Sequence, residues 1–268
     1  MKTANDNRSE PHVNFDKGLQ DEGNKKAFLD TNVSGLSECL LRGQNLDKLI
    51  EATRSSAKKQ IRLTQTYKRE LLRRTTGAAA LPESKLERSL WLHWGIHEAC
   101  TNNPVFLNRT CPHIISYQVP LYNCRPKKQR DGWGKIDVVG IAEDLTPVII
   151  ELKAGGSTES ILRMVLESVA YGIAIQEAWD PRLRDDWVCA LEKLAKKDSS
   201  LIKQASLASL PRQLKSCHIL CIAPSQYWDP RHKDRRCPKF REILGLLRKK
   251  GFDVSFAALN YAIQQLEL

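Results

Sequence analysis

Two apolar, β-branched runs, residues 135–142 and 147–153, dominate the hydropathy pattern of this chain, with the polar turn Glu143-Asp144-Leu145 between them. Ile136 and Val138 line one face of the first run, and Val139 and Ile141 line the other. Strands apolar on both faces belong in the middle of a sheet covered by layers on each side. Further strands are expected over residues 114–122, 218–223 and 254–259. Helical spacing marks 46–75 (Leu46, Leu49, Ile50, Ala57, Ile61 and Leu71) behind an Asn45 cap. It also marks 83–99, opened by Pro82-Glu83, where Glu87, Trp91, Trp94 and Glu98 share a face. A mostly apolar helix is expected over 158–179 with Ser157 as its cap, and an amphipathic one over 238–250. Residues 180–215 read as helical, polar and peripheral, 227–236 as a basic loop, and 75–82 as a linker. The organisation expected is a loosely packed or disordered arm over 1–30, a basic helical extension with linker over 31–82, and an α/β core over 83–268.

Three charges interrupt the central hairpin: Asp137, Glu151 and Lys153. Ionised side chains enter a buried sheet only when they are paired or bind a metal. The strand period of two puts Glu151 and Lys153 on one face. Two carboxylates at the ends of adjacent strands suit a hard, oxygen-seeking cation, Mg²⁺ or Mn²⁺, and a neighbouring lysine can hold a water beside it. The plainer alternative is a strand end reaching solvent.

The hairpin register decides whether those carboxylates can meet. Placing Asp137 opposite Glu151 puts both on one face and leaves the three-residue loop Glu143-Asp144-Leu145. Such loops usually end in a left-handed residue, which leucine tolerates poorly. A wider odd loop of about five residues, or a bulge, is therefore expected.

Asp137…Glu151-Leu152-Lys153 resembles the catalytic core of the PD-(D/E)XK nuclease superfamily, with Ile136 where the family name has Pro. The resemblance implies a restriction-endonuclease-like fold, a mixed central sheet flanked by helices in the order α-β-β-β-α-β, over about residues 83–223. It implies Mg²⁺ or Mn²⁺ held by Asp137, Glu151 and the backbone carbonyl of Leu152, with Lys153 positioning the attacking water. Such proteins often add an acidic residue from the first core helix, which here is Glu87, with Glu83 as the alternative. Their Gln-x-x-x-Tyr pattern on the following helix is matched by Glu167…Tyr171, with Glu in place of Gln. The activity implied is phosphodiester hydrolysis, and the alternative is a catalytically inactive nucleic-acid-binding or assembly subunit of the same fold.

Composition bears on the partner. The 268 residues carry 42 Lys+Arg against 31 Asp+Glu, a formal charge of +11. That balance suits a polyanion, and nucleic acid, DNA before RNA, is expected rather than a membrane. Candidate phosphate contacts are Lys58, Lys59, Arg62, Arg69 and Arg73 on the first helix, and Lys127, Lys128 and Arg130 in the loop before the hairpin. Solvated basic faces are the alternative for both groups. Self-association as a homodimer or within a larger assembly stays open. No run of 18 apolar residues and no leader-like apolar segment are present, and the eight cysteines lack a CxxC, so reduced thiols in a cytoplasm are expected. His93, His97, Cys100, Cys111 and His113 fit no common zinc spacing, so packing roles are expected for them.

Overall fold

The hydrophobic runs of the sequence become the middle of one sheet. The computed structural model describes residues 33–57, 59–61, 63, 83, 86–87, 90–91, 113–123, 135–142, 144–197 and 210–259. Along the chain these form helices α1 (Val33–Leu41) and α2 (Asn45–Ser56), then strands β1 (Lys59–Gln60), β2 (His113–Pro120), β3 (Tyr122–Asn123), β4 (Lys135–Ile141) and β5 (Pro147–Leu152). Helices α3 (Ile161–Glu177) and α4 (Pro181–Lys197) follow, then strand β6 (Cys217–Pro224). Short helices α5 (Ser225–Trp228) and α6 (His232–Arg236), helix α7 (Pro238–Lys249) and strand β7 (Phe252–Leu259) end the described chain. Between β1 and β2, Glu83, Leu86, Glu87, Leu90 and Trp91 are helical.

The main sheet is five-stranded and mixed, in the order β2-β4-β5-β6-β7. β4 pairs antiparallel with both β2 and β5, whereas β5, β6 and β7 are mutually parallel. Every residue of β5 is buried, as expected of a central strand covered on both faces. Helices flank the sheet, and α3 packs so closely that a Cβ on Gly172 would meet the Phe252 ring at 3.1 Å. Helices α1 and α2 bury Val33, Leu36, Leu40, Leu46, Leu49 and Ile50 in the same apolar cluster as the sheet. Ion pairs Lys239–Glu38 at 2.5 Å, Lys250–Asp47 at 2.6 Å and Arg54–Glu177 at 3.0 Å run along that seam.

Several local expectations are corrected. The helix expected over 46–75 stops at Ser56, and Lys59–Gln60 instead pairs with Tyr122–Asn123. A spacing of four, as between Ala57 and Ile61, fits both the helical repeat and two strand repeats. Ile61 and Leu63, two apart, are both buried, which fits the strand period. Asn45 is the first residue of α2 rather than its cap, and its amide donates to the Cys39 carbonyl at 2.9 Å. Ser160, not Ser157, caps α3, its Oγ accepting from the Arg163 N–H at 3.2 Å. The stretch expected as a basic loop coils into α5, a 3₁₀ turn and α6. Helix α4 is not peripheral, because Leu183 and Trp187 are fully buried and Trp187 meets Trp179 edge-on.

The hairpin takes the tight loop rather than the wide one. Ala142 N–H donates to the Thr146 carbonyl at 2.9 Å, and Leu145 N–H donates to the Ala142 carbonyl at 2.9 Å. Leu145 accepts the left-handed conformation, with φ 67°. That costs on the order of 1–2 kcal/mol, offset here by its half-buried side chain packing on the core. Leu145→Val nearly conserves the apolar volume but adds β-branching, which the left-handed region excludes. Thermal denaturation should show Leu145→Val less stable by about 1–2 kcal/mol, with Leu145→Asn relieving the backbone strain.

Candidate active site

The paired residues Val138↔Ile150 through Ile141↔Pro147 fix the hairpin register. Continuing that register by one step puts Asp137 opposite Glu151, with both side chains on one face. The ladder opens at this point. The Leu152 N–H donates at 2.9 Å to Asp137 Oδ2, so a carboxylate takes the place of a backbone acceptor. Lys153 extends β5 by one step, its own N–H donating to the Ile222 carbonyl of β6 at 3.1 Å.

Lys153 is the hub. Its Nζ lies 2.7 Å from Glu151 Oε1, 3.1 Å from Glu159 Oε2, 3.6 Å from Glu167 Oε2 and 3.8 Å from Glu83 Oε1. Lys153 is 5 % exposed and Glu151 2 % exposed, so these charges interact with little water between them. Burial works against the ammonium, but the carboxylates, Glu151 foremost, hold its pKa above that of an ordinary lysine. Glu167 also accepts from the Tyr171 hydroxyl at 2.9 Å, and burial with that carboxylate beside it pushes the phenol pKa up. Arg163 pairs with Glu159 at 3.9 Å, not with Glu167, so Glu167 faces the site.

The carboxylates outnumber the base. Burial, and then Glu87 nearby, raises the Asp137 pKa well above the usual range, against the pull of Lys153 and the Leu152 N–H. Burial, and then Asp137, does the same to Glu151, again opposed by Lys153. Glu87 is pushed up to about 7, mainly by burial, although the Gln118 amide donates to it. Glu83 is raised as well, by burial first.

Strand β2 contributes Gln118, which falls opposite Asp137 in the run from Tyr117↔Val138 to Val119↔Ile136. Its φ of 48° breaks the extended backbone at that step. Its amide bridges two residues, donating to Glu87 while its oxygen accepts from Lys135 Nζ at 3.2 Å. A non-glycine residue held in the left-handed region inside a strand costs on the order of 1–3 kcal/mol. Here the surrounding bonds hold it facing Glu87.

The structure brings together Asp137, Glu151, Lys153, Glu87, Glu167 and Tyr171 from the residues singled out in the sequence, together with Glu83, the alternative to Glu87, and adds Glu159 and Gln118. Glu159 is invisible to periodicity because it sits in the loop before α3. That loop is pinned from another element. Arg231 donates to the Ser157 carbonyl at 2.7 Å and the Glu159 carbonyl at 3.0 Å, and the Tyr227 hydroxyl donates to the Glu159 carbonyl at 3.2 Å.

Among the described residues no group of three or more His, Cys, Asp or Glu side chains is arranged to hold a metal ion. Glu87 accepts from Gln118, and Asp137 and Glu151 are the carboxylates opposed across β4 and β5. The donor chemistry fits a hard divalent cation. Glu151 Oε2 is buried with no hydrogen-bond partner among the described residues, and an ionised carboxylate oxygen can be satisfied only by a donor or a cation. Both groups are also held together against their mutual repulsion.

No protein-family model, no curated protein and no solved structure matches the chain.

Of the expected phosphate contacts, Lys58, Arg62, Arg69, Arg73, Lys127, Lys128 and Arg130 lie outside the described residues, as do His93, His97, Cys100 and Cys111. Lys59 is placed only by its backbone, in β1. Among the described cysteines Cys39, Cys217 and Cys221 are buried and Cys189 is exposed. Among the described residues no helix is long and apolar enough to cross a membrane.

Proposed function

We propose that this chain is a divalent-metal-dependent nuclease that hydrolyses phosphodiester bonds, with DNA as its substrate before RNA. The observation that carries the reading is the pair Asp137 and Glu151, opposed across β4 and β5, with a buried Glu151 oxygen lacking a hydrogen-bond partner among the described residues and Lys153 next along the same face. The order of helix, three antiparallel strands, helix and parallel strand supports a restriction-endonuclease-like fold.

Asp137 and Glu151 would hold Mg²⁺ or Mn²⁺, which when bound supplies neutralisation of a phosphate oxygen and acidification of a water. The chain's own residues do the positioning. Lys153 remains an ammonium, so it acts as a donor that orients a water or a phosphate oxygen rather than as a base. Glu159, Glu167 and Glu83 hold that ammonium in place, and Tyr171 fixes Glu167 by donating to it. Glu87, near Asp137 and bonded by Gln118, adjusts the charge of the pair.

The test is direct. The purified chain should cleave plasmid and linear duplex DNA with Mg²⁺ or Mn²⁺, should be silent in EDTA, and should act more weakly on a matched RNA duplex. Absence of cleavage with both metals on duplex and single-stranded DNA, at protein concentrations where DNA is bound, would return the chain to a non-catalytic binding role.

A further inference from the structure

The site described above is acidic, although the chain as a whole is strongly basic. Glu83, Glu87, Asp137, Glu151, Glu159 and Glu167 surround one buried lysine, and a polyanion approaching them is repelled. Attraction has to come from a flanking surface. The described residues contain one beside the site, on the segment that also pins Glu159.

Residues 227–241 hold six Lys and Arg (Arg231, Lys233, Arg235, Arg236, Lys239 and Arg241) against Asp229 and Asp234, a balance of 6 − 2 = +4. Arg231 is turned inward onto the Ser157 and Glu159 carbonyls, and Lys239 is paired with Glu38. Lys233, Arg235 and Arg236 on α6 and Arg241 on α7 are exposed, and none of the four forms an ion pair with a described residue. The Arg235 guanidinium lies 5.5 Å from the Trp228 ring centre and 5.1 Å from that of Phe256. Aromatic faces hold a cation without neutralising it.

The placement follows from the topology. β5 and β6 are parallel, so Leu152 and Pro224 end at the same edge of the sheet, and α5 starts immediately after Pro224. Arg231 and Tyr227 then tie this turn to Glu159, whose carboxylate is 3.1 Å from Lys153 Nζ.

We propose that Lys233, Arg235, Arg236 and Arg241 form the surface that takes the sugar–phosphate backbone of duplex DNA next to the carboxylate site. The choice of partner rests on the nuclease reading and deepens it. A single strand is bound chiefly by stacking its bases on open aromatic rings, but Trp228 is buried and Phe256 half-buried under Arg235. A membrane surface is gripped by exposed apolar side chains beside the basic ones, and α6, His-Lys-Asp-Arg-Arg, has none. A set of exposed cations with no open stacking platform among the described residues beside it suits the backbone of a stiff duplex.

The experiment uses the full chain in EDTA, so that cleavage does not enter, with fluorescence anisotropy on a labelled DNA duplex between 50 and 200 mM salt, roughly the range over which phosphate contacts dominate. Lys233→Ser/Arg236→Ser should weaken duplex binding about tenfold and reduce the salt slope by about 2, one step of roughly 0.9 for each lost phosphate contact. Arg182→Ser/Lys196→Ser, which removes the same charge from exposed positions on α4, should leave both nearly unchanged. Equal losses in the two variants would assign the effect to net charge and overturn the surface. So would unaltered binding by Lys233→Ser/Arg236→Ser, or wild-type preference for single-stranded DNA or phosphatidylserine vesicles over the duplex. Metal-dependent cleavage by wild type alongside unaltered binding by that variant removes only this surface. Loss of duplex affinity in the variant with no cleavage by wild type keeps the surface and removes the nuclease reading.

Discussion

Glu151→Gln is expected to reduce Mg²⁺-dependent cleavage of duplex DNA by at least about 10³-fold, since loss of a metal's charge stabilisation is worth several kcal/mol. The substitution keeps the shape of a fully buried side chain and removes only its charge, so the loss can be assigned to chemistry rather than to folding. Asp137→Asn should behave alike, because Asp137 shares the site from the opposite strand. In both variants Mn²⁺ affinity measured by calorimetry should fall together with cleavage. Neither variant should lose stability without metal. Each removes one member of a set of carboxylates that repel one another inside the protein, and burial already penalises their ionised forms. Cleavage persisting near the wild-type rate in either variant would remove both residues from the mechanism.

Lys153→Met should have the opposite effect on stability. The ammonium lies within 4.0 Å of four carboxylates, and removing it leaves Glu151 buried without compensation. Breaking a buried ion pair from one side costs about 3–5 kcal/mol. That loss should be seen at pH 8 in EDTA and should shrink at pH 5, where Glu151, whose pKa burial already holds high, can take up a proton. Wild type should show a weaker trend of the same sign. The folded-state pKa of Glu87 is raised from 4.5 to about 7. An acid whose pKa is raised on folding favours the folded state below its unfolded pKa, and that contribution is lost as pH rises through the folded value. Metal-free stability should therefore fall between pH 4.5 and 7, by roughly 3 kcal/mol for a shift of this size, with Asp137 and Glu151 acting in the same direction. Glu87→Gln should flatten the curve. Denaturant unfolding at pH 5 and pH 8 tests both statements. Wild-type stability that rises over this interval, or a Lys153→Met protein as stable as wild type at pH 8, would contradict the charge balance described here.

The central hairpin was legible because its signals are local. β-branching and the polar turn Glu143-Asp144-Leu145 specify two strands, and the pairing of β4 with β5 settles the register in which Asp137 and Glu151 share a face. The loop was misjudged because the cost of one left-handed leucine is small beside the ladder and the apolar contacts it permits. The end of α2 was misjudged for a different reason. Ala57 and Ile61, four apart, satisfy a helix and an extended chain equally, and pairing of Lys59–Gln60 with Tyr122–Asn123, about sixty residues away, settles the matter.

What the sequence determined by itself is the face and the spacing. Residues two apart on a strand lie on one side, so Glu151 and Lys153 were bound to be neighbours, and the apolar context required that their charges be used or paired. Only the tertiary structure decided with what. Glu83 comes from a helical stretch, Gln118 from β2, Glu159 from a loop held by Arg231, and Glu167 from α3, and they converge on β4 and β5 only because the helices pack on the sheet there. Periodicity reports which side of its own element a residue occupies, but the partner across a buried contact depends on how separate elements are stacked, and that is set by long-range packing.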